Sequence, residues 1–547
     1  MTDGATTSGG SVQERTWRGR LARSGTAVAV VGLVAAVVVA GGRAPADGGV
    51  DGATGPGTVT VPPSATTLVC AGPLILPDDA GRGDSAFDPT PVDPETGAAV
   101  VASTHGGGTV TSLDGSQEVG DLSTSTEALV VDDVTAPLVV RALPEGDAAA
   151  RVGAVSSGLV TAGDLRGLSA ASCSQAVADA WLVGGATDLT STAQLVLANA
   201  GSTPAEVTLE IWGPAGPVDL TGEHYLVAPG TQRVVPLGGI AAEQRRLAVH
   251  VATTGGRVAA HVQDSALDGF TPAGTDLVVP GAAPSRRQVV PGVSTLASEV
   301  GDEDAGALRL LVPGDVATSA SVSVLGPDGA VALPGAQDLE LVPGEVTDVP
   351  LGGLPAGAWT VVVDAAEPVV AAAVVSRPGE PGELDDVPAV ERAWAPSATP
   401  SDGGVVVVPD GTSGTLVLTG LPEAGGDADS VEGGASTSAT LRLLGDGGTV
   451  LAERRVTLAA GTTGAWRLDA LLEGEDVLTA TSQLAQETRA GTVRAVDVEV
   501  GGGSLAWAVV AEVTRTDGVL LSVLAPVPAA SGVAEVAVQQ DERLGTR

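Results

Sequence analysis

Short runs in which apolar and polar residues alternate recur along most of the chain. Val207, Leu209 and Ile211 are separated by Thr208 and Glu210; Val322 and Val324 flank Ser323; Val496, Val498 and Val500 are separated by Asp497 and Glu499. A period of two puts every second side chain on one face, which predicts half-buried strands. Turn-forming residues punctuate these runs about every eight to twelve residues, and no long stretch has a period of 3.6. The pattern predicts an all-β protein built of stacked β-sandwiches.

Three features recur in the same order along the chain. Gly213-Pro214-Ala215-Gly216 is followed by Gly326-Pro327-Asp328-Gly329 and then by Gly445-Asp446-Gly447-Gly448. Ala228-Pro229-Gly230 matches Val342-Pro343-Gly344 and Ala459-Ala460-Gly461, and Pro236-Leu237-Gly238-Gly239 matches Pro350-Leu351-Gly352-Gly353. A spacing of about 111 to 119 residues suits a tandem of immunoglobulin-like sandwiches over 181–290, 291–400 and 401–528. Residues 61–180 fit the repeat poorly and are read as a divergent first β domain, with a short helix within Asp164–Asp179. Residues 43–60 read as a flexible linker and 529–547 as a disordered tail.

Before the β region, Arg15, Arg18, Arg20 and Arg23 precede the 19 uncharged residues Ser24–Gly42. As a helix that run is about 29 Å long, one hydrocarbon core. Acidic residues follow at Asp47 and Asp51, so residues 1–23 are expected to form a cytoplasmic stub, 24–42 a transmembrane signal anchor, and the rest to lie outside the cell membrane. The competing reading is a cleaved signal and a secreted protein; the nearby A-x-A match, Ala44-Pro45-Ala46, has Pro beside the cleavage position.

Charge narrows the function classes. Asp and Glu number 66 against 27 basic residues, a net charge of −39, which repels nucleic acid. Every basic residue is Arg, so Schiff-base and P-loop lysine chemistry is excluded; with one Asn and three Ile, the usage suggests a GC-rich bacterial genome. Cys70 and Cys173 are the only cysteines, and outside the membrane they are expected to form a disulfide. No further ligand stands beside either, so no metal site is assigned there.

Hydrolase motifs are absent: no Ser is flanked by Gly at both two before and two after, and no His-Glu-x-x-His occurs. The four His are His105, His224, His250 and His261. Leu247, Val249 and Val251 alternate on one run and Val258, Ala260 and Val262 on the next, so a two-residue Gly255-Gly256 turn would set His250 directly opposite His261. That pair is the weak metal candidate; no third ligand accompanies it. Asp427, Asp429 and Glu432 lack full calcium-loop spacing, Arg82-Gly83-Asp84 is a match of three residues only, and neither Cys begins a thioester motif. Aromatics make up 2% of the chain, which argues against sugar stacking. Trp212, Trp359, Trp466 and Trp507 lie in apolar runs and are read as core.

Trp181-Leu182-Val183-Gly184-Gly185-Ala186-Thr187 and Leu195-Val196-Leu197-Ala198-Asn199-Ala200-Gly201, with the early Cys and single anchor, resemble an actinobacterial family catalogued as domain of unknown function 5719. The resemblance implies a membrane-anchored envelope protein without an established activity, so it carries over no catalytic residue. The expectation is a non-enzymatic scaffold or binding surface with no cofactor, its domains projecting outward toward an envelope protein or glycan. The rival expectation is an enzyme, or accessory subunit, acting on envelope glycan through paired carboxylates about 5 to 9.5 Å apart.

Overall fold

The computed structural model describes residues 57–77, 89–122, 128–381, 387–422, 436–473, 493–529 and 532–538. They divide between two compact units. One holds 1–60 and 535–547, the other Val61–Ala534. In the first, the strand Gly57–Val61 pairs with Ala534–Val538. The linker and tail expected for 43–60 and 529–547 therefore each contribute to a strand. The stub and anchor, residues 1–42, lie outside the described residues, among which no helix is long and apolar enough to cross a membrane.

The larger unit is all-β, apart from one six-residue helix, Leu468–Glu473, and three single 3-10 turns among the described residues. Its strands form four sheet pairs. In the first, Thr66–Cys70, Leu138–Ala142, Gly108–Ser112 and Glu118–Asp121 face Leu129–Asp132, Glu95–Thr104, Arg151–Val160 and Gly167–Ser172. The second sets Asp179–Val183, Ala248–Gly255, Ala205–Gly213 and His224–Val227 against Thr231–Pro236, Ser191–Asn199, Ala259–Asp268 and Thr271–Val278. In the third, the 25-residue strand Gly357–Pro381 passes from one sheet to the other. Its first half pairs with Ser285–Thr295 and Thr318–Gly326, and its second half with Ala307–Leu311 and Pro388–Pro396. The fourth sets Gly403–Val407, Ala495–Gly502, Ser436–Leu444 and Val450–Ala459 against Thr462–Arg467, Ser413–Leu421, Ser504–Arg515 and Gly518–Leu524.

Counted in chain order, with the two-residue strands Gly216–Pro217 and Val527–Pro528 left out and Gly329–Ala332 and Leu339–Leu341 taken as one, the strands of each pair follow one scheme of eight. The first joins the sixth, the sixth the third and the third the fourth; in the facing sheet the fifth joins the second, the second the seventh and the seventh the eighth. The long strand of the third pair serves as both sixth and seventh. Residues 61–180 obey the same scheme, so the first pair diverges in sequence and not in topology. The scheme also differs from the immunoglobulin arrangement expected from the repeat length, where the first and second strands share a sheet; here they lie in facing sheets. Two expected boundaries shift, because Asp179–Val183 opens the second pair and Ser285–Thr295 the third. The helix expected within Asp164–Asp179 is instead the buried strand Gly167–Ser172, whose Gly, Ser and Ala have weak local preference and yield to packing.

Each pair ends on an edge strand, and these four strands pack on one another in a closed circuit. Gly167–Ser172 touches Thr271–Val278 and Gly518–Leu524, and Pro388–Pro396 touches the same two. Contacts at the flanks complete the ring. Gln263 accepts from Ile75 N at 2.8 Å, Arg309 Nη1 donates to Gly185 O at 2.7 Å, Thr360 and Thr419 share a 2.6 Å hydroxyl bond, and Arg151 Nε donates to Asp497 at 3.0 Å. Three of the large apolar clusters draw side chains from more than one pair. The arrangement is a closed ring of four, in place of domains strung outward.

Candidate functional site

An edge strand carries a row of unpaired backbone groups, and burying it requires other partners for them. At the ring's centre those partners are side chains from a different sheet pair. Asp276 Oδ2 accepts from Trp394 N at 2.7 Å. Glu391 Oε1 accepts from Leu168 N at 2.9 Å and Leu521 N at 3.2 Å, joining three pairs through one carboxyl group. Ser522 Oγ accepts from Ala170 N at 3.2 Å and donates to Ala170 O at 2.8 Å, while Ser169 Oγ donates to Thr275 O at 3.1 Å. Each of these side chains is buried.

The same centre gathers charge. Asp264 and Asp276 are directly opposite in register on neighbouring strands, both 2% exposed. Asp264 Oδ2 accepts from Trp394 Nε1 at 2.9 Å and from Arg392 Nη2 at 3.4 Å. Arg166 Nε donates to Asp517 at 2.7 Å. Burial pushes the Asp276 carboxyl up to about 8, and burial likewise holds Glu391 well above the usual carboxylate range. No His or Cys belongs to the cluster. Its one serine hydroxyl beside an acid, Ser522 Oγ at 2.8 Å from Asp276 Oδ1, is fully buried.

The histidine pair expected across a Gly255-Gly256 hairpin is not formed. Ala248–Gly255 pairs with Asp179–Val183 and Ala205–Gly213, whereas Ala259–Asp268 lies in the facing sheet beside Ser191–Asn199. Both apolar rows do face one core, but from opposite sides, so His250 and His261 point outward from different sheets. His250 stacks on Trp181, ring centroids 4.3 Å apart, and its two ring nitrogens lie 2.8 Å from Glu210 and 2.8 Å from Asp179. His261 packs where the first and second pairs meet, and burial draws it down to about 4, neutral at pH 7. No group of three or more His, Cys, Asp or Glu among the described residues could hold a metal ion.

Other nominated residues are placed simply. Cys70 and Cys173 are bonded, with Cα atoms 4.3 Å apart, and tie facing sheets of the first pair. Trp212, Trp359, Trp466 and Trp507 are buried. His105 accepts from Gly107 N in a turn, and His224 is exposed beside Glu223. Residues 82–84 and Asp427, Asp429 and Glu432 lie outside the described residues. One open groove runs between the first and fourth pairs. Glu95, Asp132, Asp410 and Arg515 lie along it, over a floor that includes Val155 and Leu168. Gly97 is opposite Asp132 in register, so Glu95 and Asp132 sit diagonally on one sheet face, and Asp410 is paired with Arg494.

A family model described as Family of unknown function (DUF5719) matches residues 128–468, more than half of the chain. The chain belongs to that family. No curated protein matches it. In this DUF5719 chain the match runs from the first sheet pair into the fourth, so it includes Asp264, Asp276 and Glu391 of the central cluster.

Sequence reasoning did not single out those three acids. Their signal is an acidic residue at an apolar position of a strand run, as in Thr275-Asp276-Leu277-Val278 and Val390-Glu391-Arg392-Ala393-Trp394. Such a residue reads locally as solvent-facing, and only the packing of four edge strands reverses it.

Proposed function

We propose that the chain is a non-enzymatic, membrane-anchored envelope protein whose ring of four sheet pairs is a rigid scaffold with a binding surface on its outside. One observation carries this reading: the densest chemistry of the described residues, the central acids and hydroxyls, is engaged in capping buried edge strands and is closed to substrate. The 19-residue uncharged run Ser24–Gly42 supports anchoring, with the cytoplasmic stub before it. The groove of Glu95, Asp132 and Arg515 is the surface we assign to the partner, an envelope protein or glycan. The test is affinity capture from native envelope with the full chain and with Glu95→Arg/Asp132→Arg. Partners retained by the parent and lost by the variant are expected; identical capture by both would remove the groove from the reading.

The carboxylates along that groove favour a second reading, glycan cleavage through paired acids. It predicts that purified protein shortens envelope glycan and that Glu95→Gln or Asp132→Asn abolishes this. Unchanged glycan with the parent protein would end it.

A further inference from the structure

The central cluster is short of positive charge. Asp264, Asp276, Glu391 and Asp517 gather there with Arg166 and Arg392, and Arg166 pairs with Asp517 while Arg392 reaches Asp264. Asp276 and Glu391 have no ion pair, although Arg166 also acts on Glu391 and draws against its burial. The other charged groups on packed strands are engaged elsewhere. Arg377, opposite Glu391 in register, donates to Ser294 Oγ at 2.7 Å and faces Glu512, and Arg309 pairs with Asp348.

Hydrogen-bond counting reaches the same point independently. Ser522 has one hydroxyl hydrogen, yet lies 2.8 Å from both Ala170 O and Asp276 Oδ1. If that hydrogen goes to Ala170 O, the second contact is a bond only when Asp276 carries a proton and donates it. Two ionised carboxylates directly opposite across a buried strand pair, as Asp264 and Asp276 would be, repel. Glu391 Oε2 has no protein partner and is buried; as an ion, that oxygen would be an unsatisfied charge in a dry site.

We propose that the ring of four sheet pairs is locked by protons held on Asp276 and Glu391, and that it opens from its centre when they leave. Neutral, the two acids cap Trp394, Leu168 and Leu521. Ionised, they place two charges without an ion pair between the four edge strands.

The sign follows from linkage. A carboxyl whose folded pKa is raised adds stability that is complete below its unfolded value and is lost as pH rises through the folded one. For Asp276 the window runs from about 4 to about 8. Across it each such group raises the unfolding constant tenfold per pH unit.

The experiment compares full-length parent, Asp276→Asn and Glu391→Gln, the amides standing in for the neutral acids. Urea unfolding between pH 5 and 8 is expected to show a slope reduced by one proton in each variant. Hydrogen exchange of peptides 167–172, 388–396 and 518–524 is expected to lose protection between pH 6 and 9 in the parent, to lose less in each single variant and to keep it in Asp276→Asn/Glu391→Gln. Infrared spectra at pH 7 should show a protonated-carboxyl stretch weakened in either variant, a readout that needs only one of them to fold. Unchanged slopes, protection in the parent that survives to pH 9, or no protonated-carboxyl band at pH 7 would each overturn the proposal. So would a chelator-induced loss of stability at pH 7, because a bound cation would then fill the protons' role.

Discussion

The single Asn of the chain, Asn199, stands at 0% exposure and closes the turn after the second strand of its sheet pair. Its Nδ2 donates to Thr203 O at 2.9 Å and Val227 O at 3.0 Å, and its Oδ1 accepts from Gly201 N at 2.9 Å. The Asn-x-Gly spelling is legible in the sequence as a turn; the two carbonyls it satisfies are not, since Val227 comes from a strand 28 residues away. Asn199→Ala leaves buried carbonyls without donors, and urea unfolding should register a loss of about 2 to 3 kcal/mol. Asn199→Asp should fare no better, because a carboxylate cannot donate to either carbonyl. Full stability of both variants would show that the turn is held by packing alone.

At the scale of elements, alternation recovers strands and the side each presents to the core where it is regular, and misses Gly167–Ser172, where it is not. Leu247, Val249, Val251, Val258, Ala260 and Val262 are all buried, as their period of two requires. Alternation does not say which strand lies beside which, because a hairpin and an arch between facing sheets bury the same residues. That is why Gly255-Gly256 read as a hairpin and His250 was set against His261. The disulfide was legible for a different reason, there being only two cysteines to pair. It links the first strand of the ring to the segment just after the central strand Gly167–Ser172, across a sequence separation of 103. Replacing both cysteines by Ser is expected to cost about 4 to 5 kcal/mol by loop entropy. The loss should be read by thermal unfolding and by exchange in 66–70 and 167–172. An unchanged midpoint would mean that the sheets need no staple.

For the whole molecule, the repeat predicted three similar bodies after a divergent first one but not their closure, because closure depends on residues hundreds of positions apart. Small side chains permit it. A Cβ on Gly153 would come within 2.7 Å of Val405 Cγ1, and one on Gly292, at φ +81°, within 2.8 Å of Val523 Cγ1. Nothing in the local sequence marks these glycines as contacts, of the first pair with the fourth at Gly153 and of the third with the fourth at Gly292. The central acids were hidden for the same reason: an edge strand is solvent-facing until three others cover it.

Closure of the first sheet pair on the fourth is therefore the claim to test, and a cross-link tests it most directly. In Gly153→Cys/Val405→Cys, the two Cβ positions are about 3.1 Å apart before any relaxation, close to what a disulfide spans. Oxidation followed by peptide mapping should yield one new bond joining positions 153 and 405, with Cys70–Cys173 intact. Free thiols at both positions in a folded protein that retains the native disulfide would contradict the closed ring.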